Sequence, residues 1–138
     1  MNILLMLIPK NKVAYIYDDS TVRQAMEKME YHRYTSIPIL DQEGGYVGSL
    51  TEGDLLWAIK NIYNLNLKAA ENIKISMIPR LRDNLPVTIE EKIDDLIKKA
   101  VNQNFVPVLD GKNSFIGIVT RKDIIQYCYK KMCQNEEQ

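Results

Sequence analysis

A duplication constrains this chain more than any other feature in it. Val106-Pro107-Val108-Leu109-Asp110 echoes Ile37-Pro38-Ile39-Leu40-Asp41, and Phe115-Ile116-Gly117-Ile118-Val119-Thr120 echoes Tyr46-Val47-Gly48-Ser49-Leu50-Thr51. Asp123-Ile124-Ile125 repeats Asp54-Leu55-Leu56. The offset is constant: 69 residues separate Pro38 from Pro107 and Asp54 from Asp123. Ile8-Pro9 answers Ile78-Pro79 at the start of each copy. Self-similarity over half a chain means a duplicated supersecondary unit. One copy is too small to bury both faces of its own sheet. The expectation is an α/β fold in which two β-α-β-β-α repeats pack sheet to sheet about a pseudo-twofold axis. Residues 1–65 would form the first repeat with its N-terminal segment, and residues 66–138 the second with a short polar tail.

Local patterns fill in each copy. Lys12 to Tyr17 reads as a short strand, rich in good strand formers. Asp18-Asp19-Ser20 offers helix N-cap chemistry. Val22, Ala25, Met26 and Met29 then follow at the spacing of one apolar helix stripe. Ile37 to Leu40 is a buried strand in which Pro38 fits an edge or a strand start. Asp41 to Gly45 turns a hairpin, and Tyr46 to Leu50 returns. Thr51 caps a helix with Leu55, Leu56, Ile59 and Ile62 inward; Trp57 lies off that stripe. In the second copy Leu85 to Ile89 is strand-like, and Ile93, Leu96, Ile97 and Ala100 repeat the stripe. Asn64 to Asn72 reads as the linker, and the apolar start Ile3 to Ile8 as a docked segment.

Composition removes several classes of function. Lys+Arg and Asp+Glu balance at 18 each, and there is no basic run. Nucleic acid and anionic membranes are therefore poor partners. The apolar N-terminus is too short to span a bilayer and lacks the marks of a signal peptide. Cys128 and Cys133 are not a CxxC pair and fit a reducing, cytoplasmic setting. One histidine, His32, builds no metal site. No nucleophile-base set, metal cluster or phosphate-binding glycine loop stands out, so no cofactor and no enzyme activity are expected.

One stretch breaks a local rule. Thr120 is a good N-cap, yet Arg121 and Lys122 follow it at a helix start, where the dipole disfavours cations. Two readings stand: a solvated basic pair, or an anion such as a phosphate supplied from outside. The first copy is the internal control. It reads Thr51-Glu52-Gly53-Asp54, with an acid where the dipole favours one. For Asp54 the dipole explains the carboxylate as well as a ligand would. For Asp123, beside two cations, the ligand reading is preferred.

The motifs Ile37-Pro38-Ile39-Leu40-Asp41 with Gly48-x-x-Thr51-x-x-Asp54, and Val106-Pro107-Val108-Leu109-Asp110 with Gly117-x-x-Thr120-x-x-Asp123, resemble a tandem pair of CBS (cystathionine β-synthase) domains. That resemblance implies an adenosine-ligand sensor. The Thr and Asp of each T-x-x-D segment would hold the ribose, and phosphates would lie near the helix start. The base would rest on the first strand and the pre-strand loop of the other repeat. Such pairs usually dimerise into a flat disc, so a homodimer is implied, with an unknown protein target downstream.

The two copies differ in one spacing. Seven residues separate Met29 from Ile37, and five separate Ala100 from Val106. Reading this as a shortened second loop, the main cleft would comprise Lys12, Val13, Ala14, Tyr34, Thr35, Ser36 and Pro38 with Thr120, Arg121, Lys122 and Asp123. A weak second cleft would comprise Thr51 and Asp54 with Asn104 and Phe105. Three cations around one cleft suit several phosphate charges. The pattern resembles the cyclic di-AMP-binding subset of Gram-positive CBS proteins. Retained Asp54 and Asp123 favour a free ribose diol, as in AMP, ADP or ATP. Cyclic di-AMP is placed first, with the linear nucleotides close behind. The competing reading is a dimeric interaction scaffold indifferent to nucleotide.

Overall fold

The structure, a computed structural model, describes residues 3–136. In chain order its elements are β1 (Ile8–Pro9), β2 (Ile16–Tyr17), α1 (Val22–His32), β3 (Ser36–Leu40), β4 (Tyr46–Thr51), α2 (Glu52–Asn61), α3 (Leu67–Ala70), β5 (Val87–Thr88), α4 (Ile93–Ala100), β6 (Phe105–Leu109), β7 (Phe115–Thr120) and α5 (Arg121–Glu136). They form two compact units. The central unit is residues 14–83, and the terminal unit joins the N-terminal segment through Val13 to the chain from Asn84 on. The N-terminal segment therefore belongs with the second copy, not with the first as its position in the sequence suggested. β1 explains this: Ile8 and Pro9 pair antiparallel with Ile118 and Gly117 of β7.

Each unit carries a mixed sheet. In the central unit the order is β2-β3-β4, with β2 parallel and β4 antiparallel to β3. In the terminal unit it is β1-β7-β6-β5, with β5 parallel to β6 and β7 antiparallel to it. Pro38 sits where β3 has a neighbour on one side only, because β2 reaches just Ile39 and Leu40. A residue without an N–H is tolerated there. Gly117 is required by β1: a Cβ at that position would run into the Ile8 carbonyl. Ile37, Ile39, Leu50, Val22, Ala25 and Met29 build one core, and Val87, Leu96, Val106, Val108, Val119 and Ile124 the other. Each such aliphatic side chain contributes about 1.5–3 kcal/mol by leaving water. Ile3 joins the second core, so the N-terminal segment is docked as its apolar sequence implied.

Several local expectations shift. The strand expected over Lys12 to Tyr17 contracts to β2; Lys10–Lys12 form a 3-10 turn instead. The second expected strand contracts likewise, to Val87–Thr88. Strand propensity is realised only where a partner strand lies alongside. The α1 cap is Thr21, whose hydroxyl accepts the Gln24 N–H while Gln24 accepts the Thr21 N–H in return. In α2 the buried face is Leu55 and Ala58, while Leu56 and Ile62 point outward. The linker is structured: Asn66 caps α3, and the carbonyls of Glu71 and Ile73 accept the first N–H groups of α1.

The spacing difference between the copies lies in a helix rather than a loop. α1 runs three residues past Met29 to His32, whereas α4 ends at Ala100. Residues 33–35 then lead to β3, and residues 101–104 to β6, so the second loop is not shortened. An apolar stripe marks where a helix is buried and not where it ends. The last turn of α1 is exposed and polar, and Arg33 closes it in a left-handed conformation (φ 58°).

Candidate functional site

Both T-x-x-D segments are built the same way. A β-strand ends on a threonine whose hydroxyl accepts the N–H of the aspartate three residues on: Asp54 to Thr51 at 3.0 Å, Asp123 to Thr120 at 3.2 Å. The residue after each threonine donates its N–H to the loop before the preceding strand. Glu52 donates to the Thr35 carbonyl at 2.9 Å, and Arg121 to the Asn104 carbonyl at 3.0 Å. Each loop thus adjoins the helix start of its own copy.

The two aspartates then part company. Asp54 is 7% exposed. Its Oδ2 accepts the Thr51 N–H at 3.0 Å, and its Oδ1 accepts the Leu81 N–H at 3.2 Å. Leu81 belongs to a short arm, residues 79–83, that lies on this turn. Asp83 anchors the arm by accepting from Ser49 N–H at 3.1 Å and from Arg80, Nε at 2.7 Å and Nη2 at 3.2 Å. Gly48 makes room for it, since a Cβ there would collide with the Asp83 carboxylate. Partial burial by itself would raise the Asp83 pKa. The Arg80 hydrogen bond, the Ser49 N–H and the Arg80 charge outweigh burial and hold it below the usual carboxylate range. Burial pushes the neighbouring Tyr46 phenol far above its ordinary value, against a weaker opposing hydrogen bond with Ser49. The arm and α2 also enclose a cavity of about 500 Å3 lined by Asp54, Trp57, Ala58, Asn61, Ile62 and Pro79–Leu81.

Among the described residues nothing donates to the Asp123 carboxylate. Asp123 is half-buried and lines a cavity of about 440 Å3 with Gln126, Tyr127, Lys130 and residues 5–8. A carboxylate, a phenol, an amide and an ammonium group on one wall supply acceptors and donors of both signs.

The cation expected to answer a phosphate behaves differently. Arg121 Nε donates to the carbonyls of Ala100 (2.8 Å) and Gln103 (3.0 Å), at the C-terminal end of α4. A helix C-terminus is where a cation is favoured. The residue that looked misplaced at the start of α5 is therefore well placed at the end of α4. Arg121 also lines a separate, largely apolar cavity of about 410 Å3 with Ile97, Val101, Ile125, Tyr129 and Met132. Lys122 is exposed on the helix start.

The remaining sequence-derived candidates divide between the units. Lys12 is exposed at the end of its turn, with Val13 just after it in the terminal unit. Ala14 and Pro38 are buried in the central unit, and Tyr34, Thr35 and Ser36 form the loop into β3 there. Tyr34 is 42% exposed and stacks on His32, ring centroids 5.3 Å apart. Asn104 is exposed, and Phe105 is buried in β6. Sequence reading missed Arg80, Leu81, Asp83 and Gln103. Gln103 is buried, and its amide bonds Leu85 N–H, Leu85 carbonyl and Phe105 carbonyl. A polar residue at the end of an apolar stripe was its only signal. The pairing of Arg80 with Asp83 was visible as opposite charges three apart.

A duplicated α/β unit with two threonine-capped T-x-x-D helix starts defines a class of paired repeats. The chain belongs to the CBS domain family: the family profile matches residues 7–61 and again 75–130. It is 26% identical to a CBS domain-containing protein of Dictyostelium discoideum over 136 residues, 94% of each chain. Its fold is that of CbpB from Listeria monocytogenes, solved in complex with c-di-AMP (TM-score 0.81, 22% identity, 95% of this chain and 97% of that one). It is also that of CBSX2, an Arabidopsis thaliana CBS-pair protein, in its complex with AMP (TM-score 0.75, 18% identity, 95% and 98%). No helix among the described residues is long and apolar enough to cross a membrane.

Proposed function

We propose that this chain is a non-catalytic regulatory module that binds an adenine nucleotide through the Thr120–Asp123 turn and transmits occupancy to a protein partner, as a homodimer in the cytoplasm. The observation that carries this reading is the Asp123 carboxylate beside Thr120, unengaged among the described residues and lining a polar cavity. A carboxylate in that state accepts hydrogen bonds from a ribose hydroxyl, worth about 1.5–3 kcal/mol when charge-assisted. Lys122 and Lys12 supply exposed positive charge for phosphate. Arg121, whose Nε holds the end of α4, adds its terminal nitrogens to that charge. The resemblance to CBS pairs assigns the base to Tyr34, Thr35 and Ser36. Cyclic di-AMP is the first candidate ligand. AMP, ADP and ATP follow closely, since each offers the free 2′,3′-diol that Asp123 suits.

The test is a thermal-shift series with AMP, ADP, ATP, S-adenosylmethionine and cyclic di-AMP. A ligand at about 100 times its Kd stabilises the fold by roughly 2.7 kcal/mol, raising Tm by about 8–10 °C. No shift with any of the five rejects the proposal.

The scaffold reading has its own observation. Ile125, Tyr129 and Met132 form an exposed stripe on α5, and Leu56, Trp57 and Ile62 are exposed on α2. A scaffold stays dimeric by light scattering with or without nucleotide, and its melting temperature ignores every ligand in the series.

A further inference from the structure

The arm formed by residues 79–83 has a counterpart in the first copy that lacks its anchor. At the 69-residue offset Gly48 answers Gly117; Asp83 lies against Gly48, and Ile8 and Pro9 lie against Gly117. Both arms lead into a repeat. The first is fixed by β-pairing of Ile8 and Pro9 with β7. The second has no strand of its own and is fixed by side chains. Asp83 takes the Ser49 N–H and both arms of the Arg80 fork, and Leu81 gives its N–H to Asp54. The side chains of Ile8 and Pro9 can accept none of these hydrogen bonds.

This difference falls on the groups a ribose would need. Both Asp54 oxygens already accept backbone N–H groups, one of them from the arm itself, and the side chain is nearly closed to solvent. The partners are distant in sequence: 34 residues separate Ser49 from Asp83, and 27 separate Asp54 from Leu81. The clasp is therefore a tertiary device and not a feature of the turn.

We propose that Arg80, Leu81 and Asp83 are specificity-determining residues: the arm occupies the Thr51–Asp54 turn as an internal ligand and directs nucleotide to the Thr120–Asp123 turn alone. The inference rests on the nucleotide-binding reading above and adds how one of two similar turns is selected. Asp83 sets the lock, because its loss frees Ser49 N–H and Arg80 together. Leu81 is the plug, because its N–H fills Asp54.

The experiment compares the full chain with Asp83→Val, an apolar side chain that accepts none of these hydrogen bonds. Isothermal titration with the nucleotide that shifts the wild type reads stoichiometry, and amide hydrogen exchange reads the clasp. The wild type binds one nucleotide per chain, with the Leu81 and Ser49 amides protected. D83V binds two, and those amides exchange about tenfold faster or more. The double variant D83V/D54A returns to one. If D83V does not fold, Arg80→Ala weakens the same clasp and shows the same direction. Two nucleotides on the wild type, an unprotected Leu81 amide, or one nucleotide on a folded D83V with released amides each overturns the proposal. Nucleotide bound by neither protein is the distinct signature of failure in the underlying nucleotide reading, and it leaves the arm nothing to select.

Discussion

The turns at Thr51–Asp54 and Thr120–Asp123 start from one pattern and end in different states. Strand, threonine cap and aspartate at the third helical position are common to both. What separates them arrives from elsewhere in the chain. Asp54 is satisfied twice and covered, while Asp123 is exposed to a polar cavity with its carboxylate unengaged among the described residues. A duplicated motif thus holds one carboxylate in structure and leaves the other unengaged among the described residues. The chemistry of the motif is unchanged; only the competition for its hydrogen bonds differs.

The comparison breaks most sharply on the two aspartates themselves. Asp54→Ala removes the acceptor of two part-buried N–H groups, those of Thr51 and Leu81. That costs roughly 1–3 kcal/mol, at about 0.5–1.5 kcal/mol per hydrogen bond, and lowers Tm by roughly 3–10 °C. Asp123→Ala changes stability by about 0.5 kcal/mol or less, yet weakens nucleotide binding roughly 10- to 100-fold. Denaturation and titration of both variants check this crossover. Equal stability losses would erase the distinction between a structural and a binding aspartate.

A smaller effect tests the residues just after the threonines. Arg121→Ala removes a guanidinium that holds two carbonyls at the end of α4. The expected loss is about 1 kcal/mol, or roughly 3 °C in Tm. Glu52→Ala, exposed at the start of α2, costs about 0.3–1 kcal/mol through the helix dipole. If Arg121→Ala instead left melting unchanged and abolished nucleotide binding, the phosphate role read from the sequence would outweigh its hold on α4.

The smallest effect is on pH. The Asp83 carboxyl is held below its ordinary range, with Arg80, Tyr46 and Asp54 as its charged or titratable neighbours. A folded pKa below the unfolded one means the clasp contributes fully above the ordinary carboxylate value of about 4, and is lost as pH falls through the folded value. Tyr46, pushed upward by burial, stays neutral throughout the neutral range. Protection of the Ser49 amide should therefore hold from neutral pH down to about 4 and fall below it. In D83V that transition disappears; its persistence would place the titrating group elsewhere.

The repeat, both threonine caps, the hairpin turns and the core strands were legible because each is written within a few residues. Thr120 caps Asp123 three positions on, and Ile37 to Leu40 are a continuous apolar run, buried throughout. Where the reading slipped, the signal was partial. The apolar stripe ended at Met29, so the last turn of α1 was taken for loop and the second loop for a short one. Strand formers at Val13 and Tyr15 lie outside β2, whose pairing with β3 covers only Ile16 and Tyr17.

The sequence by itself determined that two like units would form, each presenting a T-x-x-D helix start, because hydrophobic period and cap chemistry act over a turn or two. Only the tertiary structure decided what each aspartate and arginine does there. Arg121 bonds carbonyls 21 and 18 residues behind it, Leu81 bonds a carboxylate 27 residues behind, and Asp83 an amide 34 behind. A buried polar group takes whichever partner the fold brings within about 3 Å. That choice is made by chain reversals that no local pattern records.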